Sequence, residues 1–340
     1  ESPERLPPWI GIILQRIRSY PQSCGAPYEV HIAVGIYPLN MGDRDLDDMV
    51  FHAGQQARAA QREQQDWAAF SDETLRRIQL EQKLRVTVEQ AMDGPEFQLY
   101  IQFYIDAGSR RIVGGEALSR WLHPEQGLLL PGVFVPILEK ERLTYKLDYR
   151  CLRSSCEFLQ ELHNRGVGDF FLSCNFSRDT FAAADFVDRC REIIGSYAFP
   201  RSLLIFELTE SVSVKDLSPI RANMQALKEY GVRIALDDFG EGFTSFADLQ
   251  ECPVNGIKLD KGLVHNIQTK TGNSILRAMI QVGHELGLTI LAEGVETEEQ
   301  ARALQAIGCD AIQGFHFYAP VPQVEARDKL LQQTMAFSAQ

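Results

Sequence analysis

The 340-residue sequence has no apolar run approaching the roughly 20 residues needed to cross a bilayer, and no charged leader followed by an apolar core. Those absences exclude membrane contact by these residues and a secretory address. The expected location is the cytoplasm, with any membrane anchor upstream of Glu1. Cysteine is sparse: the seven present are odd in number and none are in CxxC spacing. That pattern excludes a disulfide framework and a cysteine zinc site and reads as reduced thiols. Positive charge is also short, with 34 Lys and Arg against 46 Asp and Glu and a net charge of -12. A chain so acidic lacks the basic face that binds a nucleic-acid polymer through counterion release. The strings GEGF and EGVE lack the spacing of a phosphate-binding loop.

What is present is an apolar fraction of 45%, enough for one large core or two smaller ones. The first 70 residues offer a helix over Trp9 to Tyr20, a strand over Tyr28 to Tyr37 and a polar helix through GQQARAAQREQQ, too little to close a sizeable core. Over 72–92, Leu75, Ile78, Leu84 and Val88 fall near helical spacing behind Ser71 or Asp72 as cap, which predicts a connecting helix.

From residue 93 to 335, short β-rich runs alternate with amphipathic segments, the pattern of a parallel sheet covered by helices. The runs are FQLYIQF, RIVGGEALSRW, FFLSCNFS, LLIFELTES, VRIALDDFG, NGIKLDK, LTILAEGVE and DAIQGFHF. Eight β-α repeats over about 250 residues predict an α/β fold, a closed (β/α)8 TIM-like barrel whose active site lies at the C-terminal ends of the strands. Glu116, Asn175, Glu207, Asp237, Asp238, Lys258, Glu293 and Gln313 should then converge on one mouth.

So many carboxylates are costly to desolvate without cations. An oxygen-only ligand set suits Mg2+ or Mn2+ better than zinc, and two such ions can share Asp237 as a bridge, with Asp238 on one side. That pair would bind phosphate and activate water against a phosphodiester, with Lys258, its ammonium disfavoured by the ions, accepting the water's proton. Each residue also has a plainer reading: Asp238 as a helix cap, Lys258 as a surface lysine, Asn175 on local backbone, Glu293 and Glu296 opening a helix, His123 as structural. Their recurrence in phase across successive strands favours the joint site.

In that order, GEALSRW at 115–121, SCNFS, FELTES, DDFG, IKLD, AEGVE and QGF resemble the EAL-domain family of cyclic di-GMP phosphodiesterases over roughly residues 80–330. The resemblance implies a barrel enzyme that linearises cyclic di-GMP to pGpG with two Mg2+ or Mn2+ ions, and a homodimer through the barrel. It places Glu116, Asn175, Glu207, Asp237 and Asp238 as metal ligands, Lys258 as the water-activating base and Glu293 in support of the attacking water. Gln102, Leu118, Arg120 and Gln313 match positions at the dinucleotide or its phosphate, and Glu296 an acid that holds the loop after the fifth strand. That loop departs from the family pattern: DFGEGFTSF puts Glu241 where threonine is expected, adding negative charge beside the metals.

The front end, QRIRSYP, YEVHIAVGIYPL and DLDDMVFHAGQQARAAQREQQDWAAFSDE, resembles the second half of a GGDEF diguanylate cyclase domain, so residues 1–71 read as a degenerate remnant whose signature loop lies upstream. Two functions fit: a metal-dependent phosphodiesterase, or a catalytically idle cyclic di-GMP receptor signalling through the N-terminal region. Retention of every metal position favours the enzyme. A barrel glycosidase needs only one close carboxylate pair and leaves Asn175, Lys258 and the tandem aspartates unexplained.

Overall fold

The computed structural model describes residues 8–23, 32–39, 45–62, 65–209, 218–240 and 252–338. The chain divides into two compact units, 1–86 and 87–340. In the first, β1 (Val34–Ile36) pairs in parallel with β2 (Trp67–Ala69). A parallel pair needs a crossover, and the helix Leu46–Arg62 supplies it. Gly35 leaves no room for a Cβ against the backbone of Ala53 and Ala57, so this helix lies directly on the strand. The expected helix near the N-terminus spans Pro8–Ser23. The strand expected over Tyr28–Tyr37 is three residues long where it is described, its first part lying outside the described residues. The helix Asp72–Asp93 carries the chain into the second unit, and the Ser71 hydroxyl accepts from the Thr74 amide at its start.

The second unit is a closed barrel. Its strands are β3 (Phe97–Asp106), β4 (Ile112–His123), β6 (Phe171–Asn175), β7 (Leu204–Thr209), β8 (Arg233–Phe239), β9 (Gly256–Leu259), β10 (Thr289–Ala292) and β11 (Ala311–Ile312), with β11 returning to β3. Short strands β5 (Gly127–Leu129) and β12 (Val321–Pro322) extend β4 and β3.

Seven barrel strands run in parallel, but β3 is antiparallel to both β4 and β11, which corrects the reading of eight identical repeats. The reason is the connection: only the turn 107–111 separates β3 from β4, too short for the helical crossover a parallel pair requires. Asp106 builds that turn, its carboxylate accepting from the amide and hydroxyl of Ser109.

Alternation along the strands sorts side chains into two cores. Leu172, Cys174, Phe206, Ile234, Ile257, Ile290 and Ile312 face outward into the main apolar core, beneath the helices. Tyr104, Leu291 and Ala311 form a separate small cluster inside the barrel. The polar residues at the C-terminal ends continue the inward rows, which is how a well-packed barrel can present charge at one end.

Candidate active site

Lys258 anchors the site. It sits on β9, 2% exposed, and its ammonium lies 2.5 Å from Glu293, 3.0 Å from Glu207, 3.0 Å from Asp237 and 3.6 Å from Glu116. Strand register brings these together: Glu116 pairs across from Gln102 and Ser173, Asn175 from Glu207, and Lys258 from Leu291, two residues before Glu293. Glu116 accepts from the Asn175 amide at 2.7 Å and from the Gln313 amide at 3.0 Å, so both of its oxygens are held.

One ammonium cannot balance four carboxylates, and the acid–base behaviour shows it. Burial pushes Glu207 up to about 8, with Glu116, Asp237 and Glu293 adding to the shift and Lys258 opposing it. Burial likewise lifts Glu293 to about 7 against the pull of Lys258. Burial alone would depress Lys258, but the carboxylates around it, Glu116 and Glu207 foremost, hold it well above its ordinary value. With protons as the only available counter-charge, the lysine is therefore locked as a cation, the opposite of a poised base. Its expected role as acceptor depends on divalent cations taking up the carboxylate charge.

The tandem aspartates pose a geometric problem, because adjacent residues on a strand point to opposite faces. Two local distortions resolve it. Asp238 adopts a left-handed backbone, φ 54°, and the β8–β9 register slips between Leu236 and Phe239. This β-bulge re-aims the second carboxylate, as bulges beside active sites do. Asp237, Asp238 and Glu293 then offer oxygens that all lie within 4.8 Å of one another. A clasp positions the far side: the Val295 amide donates to Gln313 and the His316 amide to Val295. Gly314 is required there, since a Cβ would collide with the Val295 backbone.

These residues fit hard divalent cations. The donors are oxygens throughout, negative charge exceeds the local positive charge, and the buried Oε1 of Gln313 has no partner. Of the expected ligands, Asp237 and Asp238 lie with Glu293 in the group whose oxygens converge, while Glu116 and Glu207 meet it through Lys258 and Asn175 bonds Glu116.

The remaining expected residues are placed less uniformly. Arg120 shares the inward row of β4 with Glu116 and half-buried Leu118; it is 9% exposed, lies over the Tyr100 ring and is lowered by burial against the pull of Glu116. Gln102 donates to the Tyr318 carbonyl at 3.3 Å. Glu296 is exposed and outside the cluster: the following helix, Glu298–Ala306, is opened by a capping box of Thr297 and Gln300, and neither Glu293 nor Glu296 caps it. Lys258 is buried, which removes its surface reading. His123 is structural, accepting from the amides of Glu125 and Gln126. Glu241 lies outside the described residues.

Sequence reasoning missed Tyr104, whose hydroxyl reaches Glu207 from inside the barrel at 2.9 Å. The available signal was its inward phase, two residues from Gln102. A cleft of about 860 Å3 borders Ser177 and Arg178, its arginines Arg142, Arg178 and Arg189 matched by Glu139, Asp179 and Asp185.

A closed barrel with an acidic, lysine-centred mouth defines a class of α/β-barrel proteins whose site lies at the C-terminal ends of the strands. Within it the chain belongs to the EAL-domain family, whose model matches residues 85–320. An uncharacterized protein of Mycobacterium tuberculosis is 34% identical over 302 residues, 88% of this chain and 48% of that protein. MucR of Pseudomonas aeruginosa, named a bifunctional diguanylate cyclase/cyclic di-GMP phosphodiesterase, is 31% identical over 297 residues, 86% of this chain and 42% of that protein. The chain thus spans about half or less of these curated relatives. Among solved structures, the PaMucR phosphodiesterase in complex with c-di-GMP superposes with a TM-score of 0.68 at 33% identity, covering 72% of this chain and 99% of that one. The EAL domain of Mycobacterium smegmatis DcpA gives 0.60 at 29% identity, covering 69% and 98%. No helix among the described residues is long and apolar enough to cross a membrane.

Proposed function

We propose that the barrel is a metal-dependent phosphodiesterase that hydrolyses cyclic di-GMP to linear pGpG. The observation that carries this reading is the set of four carboxylates within 3.6 Å of one buried ammonium, a charge imbalance that calls for divalent cations. Mg2+ or Mn2+, a pair in the active form, would be held by Glu116, Asn175, Glu207, Asp237 and Asp238, and would supply charge neutralisation at the phosphodiester and acidify the attacking water.

The chain's own residues do the rest. Arg120 pairs with the substrate's phosphate or base edge, and Gln102, Leu118 and Gln313 line its seat. With the carboxylate charge neutralised, burial and the ions' own charge would favour the neutral amine of Lys258; Nζ then takes the proton from water while Glu293 orients it, and the water oxygen attacks phosphorus in line as the P–O3′ bond breaks. The leaving 3′ oxygen takes up a proton and the product is the linear dinucleotide. Glu296 would serve as the acid that helps hold the loop after the fifth barrel strand, and Glu241, outside the described residues, would add a negative charge to that loop.

Residues 1–71 are read as a GGDEF-like remnant on their motifs and on the match of MucR across 86% of the chain. A regulatory role for that segment, a homodimer through the barrel and a cytoplasmic setting complete the proposal. Purified protein with Mn2+ or Mg2+ should convert cyclic di-GMP to pGpG, followed by chromatography of the nucleotide. Tight binding with no turnover in either metal would replace the enzyme by a cyclic di-GMP receptor.

A further inference from the structure

The phosphodiesterase reading leaves one buried phenol without a task. Tyr104 is 1% exposed, on the antiparallel strand β3, facing the barrel interior beside Leu291 and Ala311. Its hydroxyl donates to Oε1 of Glu207 at 2.9 Å and lies 2.7 Å from Oγ of Ser173, itself fully buried. A phenol has one proton; with that proton given to Glu207, Ser173 must donate to the phenol oxygen. The other oxygen of Glu207 accepts from Lys258 at 3.0 Å. Glu207 is therefore gripped at both oxygens, from below by the phenol and from the side by the ammonium.

Packing does not account for the hydroxyl. The ring stacks on Phe171 with centroids 5.8 Å apart, which phenylalanine would do equally well. Below the ring, a cavity of about 80 Å3 is lined largely by Ile205, Ile257, Leu291 and Ala311. A buried hydroxyl costs free energy unless it is bonded, and its two bonds are the one it donates to Glu207 and the one it accepts from Ser173. The terminal torsion of a glutamate is broad, so burial by itself leaves the carboxylate plane free to turn.

We infer that Tyr104, held by Ser173, is a positioning residue for the hydrolytic site, fixing the Glu207 carboxylate so that its remaining lone pairs face the divalent-cation locus. The inference rests on the phosphodiesterase reading, in which Glu207 is a cation ligand. Partners of metal ligands set affinity and activity by about 10–100-fold.

The test uses the full chain with Mn2+ as probe, free ion being followed by electron paramagnetic resonance and cyclic di-GMP turnover in parallel. Tyr104→Phe keeps the ring and removes the donor. It should weaken Mn2+ binding about 10-fold or more and lower kcat comparably, with KM at saturating Mn2+ nearly unchanged. Ser173→Ala should lose less in the same direction, and the double variant should be no worse than Tyr104→Phe, because Ser173 acts through the phenol. If Tyr104→Phe binds Mn2+ and turns over within about 2-fold of the parent, well below the loss expected of a ligand's partner, the inference fails and the enzyme reading stands. Should Tyr104→Phe unfold, Ser173→Ala decides alone, and unchanged Mn2+ affinity there overturns the inference. A parent that binds Mn2+ but never hydrolyses cyclic di-GMP, with Tyr104→Phe still weakening the ion, would sink the phosphodiesterase and keep the positioning role. A parent that takes up no Mn2+ overturns both.

Discussion

Two buried carboxyl sites in the barrel unit have opposite surroundings. At the mouth, Glu207 lies among three other carboxylates with one ammonium beside it. At the helix Thr144–Asn164, Asp148 is 8% exposed and has hydroxyl and amide partners in place of a cation: the amide and hydroxyl of Ser177 at 3.1 and 2.6 Å, and the Thr180 side chain. Both are raised by burial, Glu207 to about 8 and Asp148 to about 6. Glu207 is raised further although it alone has a positive partner: burial is the largest cause, three neighbouring carboxylates add to it, and Lys258 does not offset them together, whereas hydrogen bonds restrain Asp148. A perturbed acid by itself marks burial; a perturbed acid crowded by others marks a place built for cations.

Removing the lysine should separate the two sites most sharply. Lys258→Met leaves four buried carboxylates without their ammonium, and breaking such a pairing typically costs about 3–5 kcal/mol. Turnover of cyclic di-GMP should fall by about 100-fold or more, the scale of a lost general base. Mn2+ binding should survive, at equal or greater affinity, because the competing positive charge is gone. Thermal unfolding of the variant should therefore recover far more on adding Mn2+ than the parent does. If the ion fails to stabilise the variant, the mouth is an ion-pair network and no cation site.

The pH response should also differ between metal-free and metal-loaded protein. Glu207 and Glu293 have folded values raised above their unfolded ones, so each favours folding below about 4.5 and loses that contribution as pH rises through about 8 and about 7. Stability without metal should therefore fall between pH 5 and 8. Ions need the deprotonated carboxylates, so Mn2+ affinity should rise over the same interval and reverse the slope. Equilibrium unfolding in chelator and in Mn2+, at matched pH values, checks both signs.

Much of this was legible in the sequence, and the exceptions have common causes. Glu116, Asn175, Glu207, Lys258 and Gln313 were placed together because strand alternation is local and repeats. The antiparallel β3 was less legible, since an apolar strand looks alike in either direction; only the shortness of 107–111 betrays it. The approach of Asp238 to Asp237 depends on a left-handed residue and a register slip; aspartate is among the non-glycine residues enriched in that conformation, but adopts it too seldom for the sequence to announce it. Tyr104 was overlooked because an aromatic inside an apolar run reads as core filler. Glu296 entered the site by the family resemblance; it is exposed, just before the helix that Thr297 and Gln300 open.

The smallest effect concerns Asp148. Its folded value of about 6 against an ordinary 3.8 means the folded protein favours the protonated form. Stability from this group is full below about pH 4 and declines as pH rises to about 6; above that the charged, uncompensated carboxylate costs about 3 kcal/mol, from two units at 1.4 each. Asp148→Asn keeps an oxygen to accept from Ser177 and cannot ionise. It should be more stable than the parent at pH 7 by up to that amount and no better at pH 4, with Mn2+ affinity unchanged because Asp148 is outside the carboxylate cluster. Chemical unfolding at the two pH values tests the stability half. A loss of Mn2+ affinity would show instead that Ser177, two residues beyond Asn175, transmits Asp148's charge state to the mouth, and the two carboxyl sites would no longer be independent.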